Sequence, residues 1–265
     1  MATHTAQLGL SELLRQWRDR RRVSQLELAL SAGTTQRHVS FIERGRSVPG
    51  RGMIVRLAEA LEIPLRERNE MLLAAGYAPA YPQTELNDPH LDPVRGALER
   101  VLDGHRPYPA VLTDRAADLV SANDAFTALI EHAPRSLREP RPNLGRILLH
   151  PEGLGSRIIN MAEWGRHVID GLRRKSLRHP HASLERLIDE LKCYVPPRSH
   201  EPSSLHLGFA VPLRLRAENS DTELTLLTTL THFATAIDVT VSELTLEAFL
   251  PADAATARHF QTNQA

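Results

Sequence analysis

This 265-residue chain has almost no cysteine, no net charge and no apolar run long enough to cross a membrane. Its one cysteine, Cys193, excludes an intrachain disulfide and any zinc site built from several cysteines, and it suits a reducing cytosol. The amino terminus carries no apolar signal core, and the longest stretch of low charge, 224–241, is broken by threonines, His232 and Asp238. Neither export nor a membrane span is expected, so the chain is assigned to the cytoplasm. Lys plus Arg and Asp plus Glu stand at 32 each. They are unevenly spread: up to Tyr77 there are twelve Arg against eight acids, which leaves twenty basic residues against twenty-four acids beyond. A basic surplus confined to the first segment suits contact with phosphates.

The sequence devices of common catalysts are missing too. No G-x-S-x-G elbow, P-loop or G-x-G-x-x-G after a strand occurs, and the turn Glu152–Ser156 matches none of them. An enzyme is therefore not expected. Among thirteen His, His179 and His181 flank Pro180 with no further ligands in phase, and His150 as an axial haem ligand has no second feature beside it.

What is present divides in two, as the length suggests. Leu10, Leu13, Leu14 and Trp17 recur at helical spacing. Ser24 and Glu27 have the spacing of a capping box, which opens a second helix that ends at Gly33. Next comes GTTQRHVSFIERGR, a glycine turn and a short helix starting near Thr35. Val39 and Ile42 anchor one face, while Gln36, Arg37, Ser40, Phe41 and Arg44 lie on the other. Gln and Arg at a helix N-terminus match adenine and guanine edges, and a short helix fits the major groove. Taken alone, the same helix reads equally as the surface of a bundle.

Gln25 is placed to hold a phosphate through its amide, and Arg44, Arg46 and Arg51 cluster where a duplex backbone would pass. Ile54, Leu57, Ala58 and Leu61 define a fourth helix, and Pro64 opens a fifth that ends at Gly76. The run from Ser24 to Pro64 resembles the helix-turn-helix domain of the XRE/Cro/phage-repressor family, through its S-Q-x-x-L-A-x-x-x-G opening and its S-x-I-E-x-G. That resemblance implies a five-helix, lambda-repressor-like domain over 1–78. It gives Gln25 the phosphate clamp and Gln36, Arg37 and Ser40 the base contacts, with Thr35 at the helix start counted among the DNA-binding residues. Phe41 meets a thymine methyl or packs at the domain edge.

A Pro-rich linker is expected over 79–93 and a second, α+β domain over 94–265. PAVLTD and DLVSAN are strand candidates, Asn123 caps the helix after them, and Ile158, Met161, Ala162, Ile169 and Leu172 form a helical stripe. Leu184, Leu187, Ile188 and Leu191 form another. From Leu205 to Leu215 apolar residues alternate with others, which predicts a strand with one buried face, at an edge because of Pro212. ELTLLTTLTHF and a segment near 244–249 complete an antiparallel set, and Asp253 caps a last helix. The order is PAS-like. HPEGLGSRIINMAEW, PLRLR and FLPADAAT resemble the ligand-binding domain of MmyB-like transcription regulators.

That family implies a fatty acid or similar small apolar ligand and no other cofactor. Arg157, Asn160 and Trp164, three and four apart, are expected to share one side of a helix at the ligand site, with His150 and Asn123 as further polar candidates. Duplex DNA, the ligand and a second copy are the expected partners. A second domain that serves only dimerisation or protein partners, or binds haem, is the alternative.

Overall fold

A computed structural model describes residues 8–178, 180–197, 210–218, 222–233 and 235–262. Five helices come first: α1 (Leu10–Arg21), α2 (Gln25–Ser31), α3 (Gln36–Glu43), α4 (Arg51–Ala60) and α5 (Leu65–Ala74). There follow α6 (Asp92–Gly104), strands β1 (Ala110–Thr113) and β2 (Leu119–Ala122), α7 (Asp124–Leu129), α8 (Arg135–Arg138), α9 (Leu144–Leu149), α10 (Met161–Arg178) and α11 (Ala182–Lys192). The chain closes with β3 (Leu213–Arg216), β4 (Glu223–His232), α12 (Val239–Ser242), β5 (Thr245–Pro251) and α13 (Ala254–Thr262).

Two compact units result. The first reaches Glu85 and takes in Thr235–Ser242. Its core is one apolar cluster in which Leu14 and Trp17 of α1, Leu28 of α2, Val39 and Ile42 of α3, Ile54 and Leu57 of α4 and Met71 and Leu72 of α5 are buried. Each helix contributes apolar side chains to this cluster, and burying them together folds the unit. Asn69 of α5 straps down the start of the Pro-rich stretch, accepting from the Ala80 and Tyr81 amides at 2.9 and 3.1 Å and donating to the Tyr81 carbonyl at 2.8 Å. Asp238 does the same for α12: it caps Val241 at 3.2 Å and accepts from the amide and hydroxyl of Thr84 at 3.0 and 2.7 Å.

The second unit is built on a five-stranded antiparallel sheet in the order β2-β1-β5-β4-β3. All four residues of β1 are buried. Val111 faces the cluster formed with α9, α10 and α11, while Ala110 and Leu112 face Leu98 and Leu102 of α6. An inner strand covered on both faces reads as an apolar run; β3, an edge strand covered on one face, alternates as Leu-Arg-Leu-Arg.

Pro212 stands just before that edge strand, as a residue without an N–H should. Asn123 caps α7 and Asp253 caps α13, as expected. Of the strand predicted from Leu205, residues 213–216 are a strand and 205–209 lie outside the described residues. The stripe that began at Ile158 breaks: Ile158 is extended, in an isolated bridge with Leu215, and α10 begins only at Met161.

Candidate nucleic-acid interface and ligand cavity

The approach to α3 is set by local chemistry. The Ser24 hydroxyl accepts from the Glu27 amide at 3.2 Å, and the Glu27 carboxylate accepts from the Ser24 amide at 2.7 Å, completing the box that starts α2. Gly33, at φ +64°, lets the chain turn left-handed between α2 and α3. The Thr35 hydroxyl then caps α3 by accepting from the His38 amide at 3.2 Å. Val39 and Ile42 are fully buried beneath the helix. Thr35, Gln36, Arg37 and Arg44 are exposed, and Ser40 and Phe41 are half-buried. Gly45, at φ +67°, ends the helix, and Arg46 and Arg51 stand exposed in and just after the following connection.

Beneath this surface sits a group that sequence reasoning missed. Glu43, whose side chain is 4% exposed, accepts from Arg18 Nε at 2.6 Å and from Arg18 Nη2 at 3.2 Å, and its Oε2 also accepts from Gln25 Nε2 at 2.8 Å. The bonds to Glu43 raise the Arg18 pKa further above its ordinary value. One carboxylate thus ties α1, α2 and α3 into a fixed arrangement. Gln25 is no freely solvated amide: Glu43 orients it, and because a carboxamide nitrogen has two N–H donors, one remains for a phosphate oxygen. Arg44 is likewise arranged in advance, its Nε on the Ser40 carbonyl at 3.0 Å and its Nη2 on the Ser40 hydroxyl at 2.7 Å. Among the described residues neither Gln36 nor Arg37 spends a side-chain donor on a hydrogen bond. The net arrangement is a row of donors and positive charge along one face, rigidly mounted.

In the second unit the five polar or aromatic candidates separate. Asn123 is 3% exposed, and four backbone groups occupy its amide: it accepts from Ala110 and Phe126 and donates to Leu102 and Tyr108. His150 ends α9, its Nδ1 accepting from the Glu152 amide at 3.1 Å while its ring packs edge-on against Tyr194. Asn160 pins β3 to the start of α10, donating to the Pro212 carbonyl at 2.8 Å and accepting from the Arg214 amide at 3.1 Å. Trp164 is 1% exposed in the core.

Arg157, Asn160 and Trp164 therefore do not share one helix face, because Arg157 belongs to the separate 3-10 turn Gly155–Arg157 and the chain is extended after it. Arg157 is one of the residues that line a cavity. That cavity holds about 350 Å³, with Leu129, Leu224 and Phe260 as apolar wall and Asp124, Glu218 and His259 around it. This volume is at the lower end of those that hold small ligands. Arg157 Nε donates to the Arg216 carbonyl at 3.0 Å and Nη1 to the Leu129 carbonyl at 3.4 Å, so backbone holds the guanidinium. Burial lowers its pKa from the ordinary value, and nearby Glu218 opposes that. A half-buried guanidinium over an apolar wall fits a carboxylate with a hydrocarbon tail.

A second interior group also escaped the sequence reading. Glu247 on β5 pairs across the ladder with Val111 and so faces the same core cluster. The residue keeps part of its surface in solvent, and desolvation of its carboxyl raises it from 4.5 to about 7, with Lys175 opposing. Lys175 Nζ donates to the Asp114 carbonyl at 2.8 Å, and Asp114, Arg115 and Glu243 are the other charges near it. In this window the folded chain holds a proton that the unfolded chain has lost, so stability falls as pH rises from about 4.5 through about 7. Glu247→Gln is expected to flatten that slope and to stabilise the protein by about 2 kcal/mol at pH of about 8, after discounting for partial exposure. Urea unfolding from about pH 5 to pH 8 measures it; parallel profiles for the two proteins would rule the assignment out.

Compared with known proteins, residues 94–262 match a family model described as the MmyB-like transcription regulator ligand binding domain. Residues 14–68 match a helix-turn-helix family model. A curated relative, the uncharacterized HTH-type transcriptional regulator y4dL of Sinorhizobium fredii, is 41% identical over 56 residues, which are 21% of this chain and 29% of that protein. The match therefore spans less than a third of that relative's length. No helix among the described residues is long and apolar enough to cross a membrane.

Proposed function

The chain belongs to the MmyB-like transcription regulators, and from that membership we propose that it binds duplex DNA through α3 and responds to a small apolar ligand in its second unit. The observation that carries the DNA reading is the mounting of α3: Val39 and Ile42 hold it down, Glu43 locks it to α1 and α2, and its donors face outward. Gln36 and Arg37 read base edges, whereas Gln25, Thr35, Arg44, Arg46 and Arg51 hold phosphates. One such helix touches too few bases for specific binding. The active species is a homodimer in the cytoplasm, with two α3 helices about one duplex turn, roughly 34 Å, apart on an imperfect palindrome.

The ligand is a fatty acid or a similar carboxylate amphiphile, its head on Arg157 and its tail along Leu129, Leu224 and Phe260. It acts on DNA affinity by binding one arrangement of the dimer better than the other. The test combines native mass spectrometry, which reports oligomeric state and retained ligand, with DNA affinity measured with and without a long-chain saturated fatty acid. The acid is expected to change affinity at least about fivefold. Arg157→Ala should abolish the response and leave ligand-free DNA binding as it was. A dimer that retains no small molecule and whose DNA affinity ignores every acyl chain tried would mean that the second unit only dimerises.

A further inference from the structure

Phe41 is out of place on a helix face otherwise made of donors. It is half-buried and stands outside the apolar side chains packed on the core of its unit. It does not close the domain edge. Instead the Arg37 guanidinium lies 5.1 Å from its ring centroid and that of Arg44 lies 5.5 Å from it. Residues 37, 41 and 44 are four and three apart, so guanidinium, ring and guanidinium lie along one outward stripe of α3. Both distances are within the range of a cation–π attraction, which restricts two long side chains that would otherwise sample many rotamers. Arg44 is held a second time by Ser40. Among the described residues Arg37 is held by the ring alone, with its N–H groups open.

Resting on the DNA-reading assignment of α3, the geometry points to Phe41 as a specificity-determining side chain that meets the 5-methyl group of a thymine and holds Arg37 for a neighbouring guanine. The thymine methyl is the one apolar group on the major-groove edge of a base pair, so a ring presented there has one complement in DNA. Guanine offers O6 and N7 together, the acceptor pair that a guanidinium fork matches. The two cations flanking the ring also favour a polyanion at this stripe over the apolar face of a second protein copy.

The experiment starts from sequences enriched by the full-length protein from random duplex DNA. Each thymine of the enriched site is then replaced in turn by uracil, which removes the methyl and nothing else. For the wild-type protein, one position per half-site is expected to lose about fourfold in affinity, the worth of one buried methyl-sized group. Phe41→Leu keeps that loss, because an apolar side chain remains, but discriminates less well against replacement of the adjacent guanine. Phe41→Ala shows no response to uracil at any position. Thermal melting of both variants is expected to match the wild type, since the ring is not part of the core.

Equal affinity of the wild type for thymine and uracil at every position would overturn the inference, as would a full methyl response in Phe41→Ala. Enrichment of no sequence at all would remove the DNA-reading helix itself, and this inference with it. Failure of the fatty-acid response, by contrast, leaves both standing.

Discussion

Glu43→Ala is expected to lower the stability of the N-terminal unit by about 3 kcal/mol, a fall in its melting temperature of roughly 12 to 24 °C for a unit of this size. The reason is what the substitution leaves behind. Arg18, with a side chain 14% exposed, loses the bonds at 2.6 and 3.2 Å that satisfy its fork. Gln25 loses the acceptor that orients its amide. A charge stranded in a largely buried setting costs more than the intact pair contributes, because the desolvation is no longer compensated. Arg18 keeps Asp19 at 2.9 Å and the Val23 carbonyl at 3.0 Å, which is why the cost is about 3 rather than about 5 kcal/mol.

Glu43→Gln preserves the shape and one acceptor oxygen and should cost about half as much. Calorimetry of the two variants measures both effects. A loss below about 1 kcal/mol in Glu43→Ala would show that the helices are held by apolar packing alone. DNA affinity is expected to fall with Glu43→Ala even at temperatures where the unit stays folded, since α3 and Gln25 no longer share a common anchor.

The second large effect is steric. Gly155→Ala is expected to cost the second unit roughly 4 kcal/mol or more, among the largest effects a single methyl can have. A Cβ at Gly155 would stand 2.5 Å from the Leu149 carbonyl oxygen and 2.7 Å from that of His150, and at Gly153 it would stand 2.3 Å from the Ile147 oxygen. These are backbone atoms at the end of α9, and they cannot rotate away. They also hold the turn: the Leu154 amide donates to the Ile147 carbonyl at 2.9 Å and the Gly155 amide to the His150 carbonyl at 3.1 Å. So close a wrap around a helix end needs residues without side chains. Gly171→Ala is the control. It lies inside α10 with only the flexible end of Arg174 nearby, at 3.8 Å, and should gain about 1 kcal/mol from helix propensity. Chemical denaturation of both decides the matter; equal stability of Gly155→Ala and wild type would remove the steric account. The same turn delivers Arg157 to its cavity, so a variant that still folds is expected to weaken the acyl binding proposed there.

Much of the N-terminal unit was legible in the chain. Its signals act over a few residues: the Ser24–Glu27 box, the left-handed glycines at 33, 45 and 76, and the period of Leu14, Trp17, Val39 and Ile42. In the second unit, β1, β2, β4 and β5, the stripe on α11 and the caps Asn123 and Asp253 were readable for the same reason. The helix drawn through Ile158 was not, because an apolar residue at helical spacing also suits a strand bridge. Its partner, Leu215, lies far along the chain.

Sequence alone determined the five N-terminal helices, most strands of the second unit and the caps named above, and that two blocks of different period would fold as a helical unit and an α+β unit. Only the tertiary structure decided which polar side chains meet across distant parts of the chain. Glu43 reaches Arg18 across 25 residues, Asn160 reaches Pro212 across 52 and Arg157 reaches Arg216 across 59. Secondary structure is written in neighbours along the chain. The partner of a charge or an amide is chosen by burial, which brings distant residues together and penalises any polar group left without a bond.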